Sequence, residues 1–185
     1  MKYTALIVTF NRLGKLKKTV EETLKLEFTY IVIVNNGSTD GTQAWLSSIV
    51  DTRVIVLTLT ENTGGAGGFK TGSQYICEQL ASDWVFFYDD DAYPYPDTLK
   101  SFSQLDKRGC RVFSGLVKDP QGKPCPMNMP FSRVPTSLGD TVRYLRYPGE
   151  FIPAANRSMF VQTVSFVGMV IHRDLLATSL DYIRE

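Results

Sequence analysis

Histidine is almost missing from this sequence: His172 is the single one in 185 residues. It sits after an apolar run and beside Arg173, where a lone histidine reads as structural. No Ser–His–Asp or Cys–His nucleophile set is evident around it. Cysteine is scarce and odd in number. Cys77, Cys110 and Cys125 have no metal-ligand spacing, which points to reduced thiols and a cytosolic protein. Charge of one sign is lacking too. The net charge is +1, so no bulk field draws the chain to nucleic acid. Long apolar runs are absent, all being far shorter than the ~20 residues that cross a bilayer. The opening MKYTALIVTFNR has a short apolar run, no small-residue cleavage site, and ends in Asn11 and Arg12. It reads as a first strand rather than a leader peptide. What remains is an ordinary globular composition, 43% hydrophobic and 21% charged, long enough for one domain with a real core.

Two textures alternate in the first half. TALIVTF (4–10), YIVIVNN (30–36), VIVLTLT (54–60) and WVFFY (84–88) are continuous apolar runs. Between them, Leu13, Leu16, Val20 and Leu24 recur at helical spacing, a short helix is expected over 44–49, and Phe69, Ser73, Ile76 and Leu80 mark another helix. Leu99, Phe102 and Leu105 mark a fourth. Strands apolar on both faces, alternating with helices, predict an α/β fold: a Rossmann-like, mostly parallel sheet with helices on both faces. Residues 115–160 are rich in proline and polar turns, without a clear period. VSFVGMVIH (164–172) reads as one more strand, and 174–182 as the start of a helix.

Parallel sheets of this kind take ligands at the carboxyl ends of their strands. Here those ends read TFNR, VNNGSTDG, TENTGGAGG and YDDDAYP, which gathers the polar and glycine residues at one edge. Side chains alternate along a strand, so Asp89 and Asp91 are expected on one side and Asp90 on the other, as a structural residue. Two carboxylates on one side suit a hard divalent cation, Mn²⁺ or Mg²⁺, completed by substrate phosphates. The plain alternative is a solvated acidic loop or a helix cap, but Asp97 already stands where the next cap is needed. In ENTGGAGGFKTG (61–72), glycines permit close approach of backbone N–H groups to a phosphate or sugar. Packing of a helix on the sheet would explain them as well. The stretch is neither a dinucleotide fingerprint nor a Walker A loop. Asn11, Arg12, Asn35 and Asn36 offer donors and acceptors for a flat base, or equally for turns. Lys15, Lys17, Lys18 and Lys25 give the first helix a basic side, read as a solvated face that could touch an anionic membrane.

In order, TALIVTFNR, VIVNNGSTDGT, ENTGGAGGF and FFYDDDAYP resemble the successive motifs of family 2 glycosyltransferases with the GT-A fold. The likeness is good over about residues 3–105 and loose over 110–176. N-x-G-G-x-G-G-F and DDD are most similar to the galactofuranosyltransferase and rhamnosyltransferase branch. The resemblance implies a metal-dependent, inverting transfer from a nucleoside-diphosphate sugar, a UDP- or dTDP-sugar, to a glycan or lipid-linked acceptor in polysaccharide synthesis. It implies Asp89 and Asp91 as the D-x-D metal pair with Mn²⁺ or Mg²⁺. It places Thr9, Asn11, Arg12, Asn35, Asn36, Asn62, Gly64, Gly65, Gly67, Gly68, Lys70, Asp89 and Asp90 about the nucleotide and donor.

Two departures stand out. Many relatives carry Asp where this chain has Asn35, which leaves the base open. Family members also show a downstream acidic motif, often D-D-x-E, that supplies the general base. This chain ends at DYIRE without one, so the base is expected beyond residue 185. The expectation is a single nucleotide-sugar-binding domain over 1–185, incomplete at the C-terminus, with a donor half at 1–109 and the start of an acceptor half at 110–185. It is placed in the cytoplasm or at the inner face of the membrane. The alternatives are a sugar-1-phosphate nucleotidyltransferase, for which residues 11–18 lack the glycine-rich Arg/Lys loop, and a non-catalytic nucleotide-binding fragment.

Overall fold

A computed structural model describes residues 1–154 and 158–183; Arg184 and Glu185 of the terminal DYIRE lie outside them. Six strands and six α-helices follow one another as β1 (Tyr3–Thr9), α1 (Leu13–Leu24), β2 (Tyr30–Asn35), α2 (Thr42–Leu46), β3 (Val54–Thr58), α3 (Gly64–Gln79), β4 (Trp84–Asp89), α4 (Thr98–Gln104), β5 (Val112–Ser114), α5 (Leu138–Arg146), β6 (Met169–His172) and α6 (Arg173–Ser179). The sheet order is β3-β2-β1-β4-β6-β5. β1 pairs in parallel with β2 and with β4, and β2 with β3. The bonds from His172 N to Arg111 O and from Gly115 N to Gly168 O run in opposite order, the antiparallel register.

Every residue of β1 is buried, as a strand covered on both faces must be. Leu6 and Val8 face α3, where Phe69 meets Phe87 of β4 at 5.5 Å between ring centres. Tyr3 and Phe86 face α4, packing edge-on against Phe102 at 6.1 and 5.3 Å. Leu6, Ile7, Ile31, Ile33 and Phe87 are essentially inaccessible, each contributing about 1.5–3 kcal/mol of apolar burial. Among the described residues no helix is long and apolar enough to cross a membrane.

Two elements differ from the sequence expectation. The glycine cluster is not a loop ahead of a helix but the first turns of α3 itself, which begins at Gly64. Glycine is a poor helix former, at about 1 kcal/mol each. Sheet contact overrides this. A Cβ on Gly68 would lie 2.6 Å from Val8 Cγ1, and one on Gly72 2.3 Å from Leu6 Cδ1. The run 164–172 forms a strand only over its last four residues, after Gly168 with φ +84°.

By contacts the chain divides into two compact units, Met1–Val112 with Val170–Glu185, and Phe113–Met169. In the second, α5 is held by Tyr144, whose ring meets Phe131 at 5.5 Å and Phe151 at 5.7 Å. Ser137 caps α5 by accepting from Asp140 N. The sequence reading passed over this helix although Leu138, Val142 and Leu145 recur at helical spacing; in the structure all three are exposed.

Candidate functional site

The register of the parallel strands sets four strand ends in a row. Thr58 aligns with Asn35, Asn35 with Thr9, and Asp89 with Val8. At about 4.8 Å per strand the row is roughly 14 Å long. The chain runs outward from β1 to β2 and β3, then returns to β4 on the other side of β1. The connections therefore diverge between β1 and β4, the switch point where open α/β sheets bind ligands.

Side chains tie the loops beyond these ends into a line. Asn11, at φ +52°, donates its N–H to Ser38 Oγ at 3.0 Å and accepts from Thr39 N at 2.7 Å, joining the first loop to the second. Asn36 joins the second to the third. Its Nδ2 donates to Asn62 Oδ1 and Gly64 O, both at 2.9 Å, and its Oδ1 accepts from Thr63 N and Thr63 Oγ1. An amide has two donors and two acceptor positions, so Asn36 is fully spent within the protein. Gly37 lies just behind it at φ +77°, where a Cβ would meet Glu61 backbone carbon at 2.7 Å; only glycine fits this contact. Asn35 is buried, gives Nδ2 to Gln43 Oε1, and takes Ser38 N. Asn62 is exposed, and its Oδ1 is taken by Asn36 and Gly64 N.

The fourth loop is bound to the first, and α1 does the binding. Arg12, Lys15, Thr19 and Thr23 fall at spacings of three, four and four, one face of a helix. Thr23 Oγ1 meets the buried Tyr88 hydroxyl at 2.9 Å; burial pushes that phenol well above its ordinary range. Thr19 Oγ1 donates to Asp90 O at 2.8 Å. Lys15 Nζ and Arg12 Nη1 reach Asp91 Oδ2 at 2.9 and 3.1 Å, and Arg12 also lies 3.5 Å from Asp90 Oδ1. Asp90 is buried and accepts from the buried Thr9 hydroxyl at 2.8 Å. Strand alternation would have set Asp90 and Asp91 on opposite sides. Instead β4 ends at Asp89, a turn closed by Ala92 N on Asp89 O follows, and Asp90 and Asp91 share Arg12. The Asp89 carboxylate has no hydrogen-bond or ion-pair partner among the described residues. Burial, then its neighbours Asp90 and Asp91, raise its pKa against the partial relief of Arg12.

Gly64 and Gly65 are exposed in the first turn of α3, with nothing within 4 Å of either Cβ position; Gly67 and Gly68 are buried behind them, and Lys70 is half-buried one turn on. His172 is not part of the row. Its Nδ1 accepts from Asp174 N at the start of α6. Asp97 stands at the N-cap of α4 but receives the Ser101 hydroxyl rather than a backbone N–H. An open hollow of about 630 Å³ lies at the opposite strand ends, around Lys2, Glu78, Asp83 and Arg173, away from every residue of the row.

The model of Glycosyl transferase family 2 matches residues 4–164. The chain belongs to that family. Among solved structures, this family 2 chain resembles TarS 1-349 of S. aureus at TM-score 0.66 and 21% identity, covering 97% of this chain and 49% of that one. The same TarS fragment in complex with UDP-GlcNAc matches at TM-score 0.66 and 21% identity, with 97% and 47% covered. The mannosyltransferase PcManGT from Pyrobaculum calidifontis, in complex with GDP-Man and Mn²⁺, matches at TM-score 0.53 and 23% identity, over 65% of this chain and 36% of that one. The likenesses establish the GT-A fold, and this family 2 chain spans about half the length of the TarS structures. Curated protein sequences give no match.

The PcManGT structure holds Mn²⁺, and the donor set here can be judged for such an ion. Among the described residues no three His, Cys, Asp or Glu side chains converge as a self-sufficient cage. Asp89 and Asp91 instead offer two hard carboxylates at one strand end, one of them unpartnered. That fits a divalent ion completed by substrate phosphates. Sequence reasoning missed Lys15, Thr19 and Thr23. The signal was there in the 12/15/19/23 spacing, but a search for apolar periodicity skips polar residues on a buried face.

Proposed function

We propose that this chain is the donor-binding part of a metal-dependent, inverting glycosyltransferase, in the galactofuranosyl- and rhamnosyltransferase-like branch of its family. The donor is a UDP- or dTDP-sugar, the acceptor a hydroxyl of a glycan or lipid-linked glycan, and the setting polysaccharide synthesis at the cytoplasmic face of a membrane. One observation carries this reading: the carboxylates of Asp89 and Asp91, with Arg12 and Lys15, stand at the switch point of a row of four interlocked loops.

The residues divide the work as follows. Asp89 and Asp91 hold Mn²⁺ or Mg²⁺, which when bound supplies a Lewis acid for the departing diphosphate. Arg12 and Lys15 bring positive charge to the same oxygens and fix them. Asn11 and Asn62 keep an Nδ2 donor each for the nucleotide, while Asn35, Asn36 and Thr9 hold the loops in place. Gly64 and Gly65, exposed in the first turn of α3, leave room for the donor at that helix start. Asp90 is a brace, turned onto Thr9. The acceptor hydroxyl attacks the anomeric carbon from the opposite face, losing its proton to a general base.

Calorimetry with UDP in the presence and absence of Mn²⁺ tests the reading. Mn²⁺-dependent binding that Asp91→Ala abolishes is expected. UDP binding that ignores the metal, or no binding of UDP or dTDP, would overturn it. Product analysis separates glycosyl transfer, which releases nucleoside diphosphate, from nucleotidyl transfer, which releases pyrophosphate.

A further inference from the structure

Two cations compete for one oxygen at this site. Lys15 Nζ and Arg12 Nη1 both lie on Asp91 Oδ2, the carboxylate proposed above as a metal ligand. Both cations are about half exposed and so free to move. Their position is costly in another respect. Arg12 is the N-cap of α1 and Lys15 lies in its first turn, where no acidic residue occurs. The positive end of a helix dipole repels cations and attracts anions. What keeps Arg12 and Lys15 there is the acidic turn. With three carboxylates and two cations the cluster carries one net negative charge.

We infer that Lys15, with Arg12, gates Asp91, so that metal and nucleoside diphosphate bind together rather than separately. The inference rests on the donor-site reading above. A divalent ion arriving alone must displace two cations from Asp91 Oδ2. A diphosphate offers several anionic oxygens at the N-terminus of α1, a better seat for both side chains, and their departure frees Asp91. The diphosphate thus raises the affinity for metal, and by linkage the metal raises the affinity for diphosphate by the same factor. The neighbouring lysines are not part of the gate. Lys17 lies over the Trp45 ring at 6.0 Å, and Lys18 over Tyr93 at 5.4 Å.

The test is titration calorimetry with Mn²⁺ alone, UDP alone, and Mn²⁺ in saturating UDP, on the wild-type chain, Lys15→Met and Lys17→Met. In the wild type, UDP should tighten Mn²⁺ by a factor in the range of about 5–150. Lys15→Met should bind Mn²⁺ alone more tightly, by about two- to fivefold, the worth of an exposed ion pair. The coupling to UDP should shrink accordingly, while Lys17→Met behaves as wild type. Lys15 is a surface side chain, and melting curves check that its variant folds; Lys15→Gln repeats the measurement with a polar side chain. Unchanged or weaker binding of Mn²⁺ alone in both Lys15 variants overturns the gate. Failure of UDP to bind at all overturns the donor-site reading instead, and the response of Mn²⁺ alone to Lys15→Met still decides the gate.

Discussion

The hydroxyl of Thr19 donates to the main-chain oxygen of Asp90 at 2.8 Å, from a fully buried position on α1. This bond fixes the backbone of the acidic turn to the same helix that sends Lys15 to the Asp91 carboxylate. Thr19→Val keeps the shape and leaves the Asp90 carbonyl without its donor. The expected loss is about 1–3 kcal/mol in denaturant unfolding. Thr19→Ser should retain most of the stability. In Thr19→Val, Mn²⁺-dependent UDP binding should weaken, since the turn loses its anchor.

The glycines of α3 separate packing from ligand approach. Gly72→Ala sets a Cβ 2.3 Å from Leu6 Cδ1 and 3.0 Å from Val34 Cγ2, both on buried strands, and should cost about 1–3 kcal/mol. Gly65→Ala meets no protein atom within 4 Å and should leave the fold unchanged or raise its stability by about 0.4–1 kcal/mol. Thermal melts give the first comparison. Loss of UDP-sugar binding in a fully stable Gly65→Ala marks the donor's path; unaltered binding removes Gly65 from it.

Of the three carboxylates in the acidic turn, Asp89 is the one with no hydrogen-bond or ion-pair partner among the described residues, and its pKa is raised first by burial and then by Asp90 and Asp91. Sites of this kind hold strain that a ligand relieves. Asp89→Asn should therefore stabilise the ligand-free chain by about 0.5–2 kcal/mol while removing Mn²⁺ dependence from UDP binding. A melt and a titration on the same preparation check both halves. A variant less stable than wild type would contradict the strain.

At the other end of α1, Arg53 donates to Leu24 O and Leu26 O at 2.9 and 2.8 Å and binds Asp51 through its side chain and its N–H. The Arg53 guanidinium, then its backbone N–H, hold the Asp51 carboxyl down at about 2. A lowered carboxylate pKa stabilises the fold above its ordinary value near 4, and the gain vanishes as pH falls toward 2. The pair is partly exposed, so the gain is at most about 1 kcal/mol. Asp51→Asn should lower the melting temperature slightly above about pH 4, where the pair is charged, and converge with the wild type near pH 2, so that its acid limb is flatter.

β1 to β4 were legible because apolar runs and turn residues leave little choice in a sheet covered on both faces. The same runs placed the polar strand ends on one edge, and the register confirms it from Thr58 to Asp89. The sequence could not disclose the division of labour at that edge. Asn36 looks like a ligand residue and is spent on Asn62, Thr63 and Gly64. Lys15 looks like a solvated lysine and lies on Asp91. Both outcomes depend on which loops meet, and that is decided by pairings between residues far apart in the chain. Asp90 and Asp91 can share Arg12 because the period of two stops where the strand stops.

The central position of β1 also governs how the chain can be made. Its partner on one side, β2, follows within about thirty residues, but its partner on the other, β4, pairs Tyr3 with Trp84. During synthesis the strand TALIVT waits with one hydrogen-bonding edge open until residue 89 has emerged. An apolar edge left bare is a template for pairing with another chain. Holding this nascent chain before β4 therefore creates its most aggregation-prone state, and the acidic turn arrives on the very strand that closes the gap.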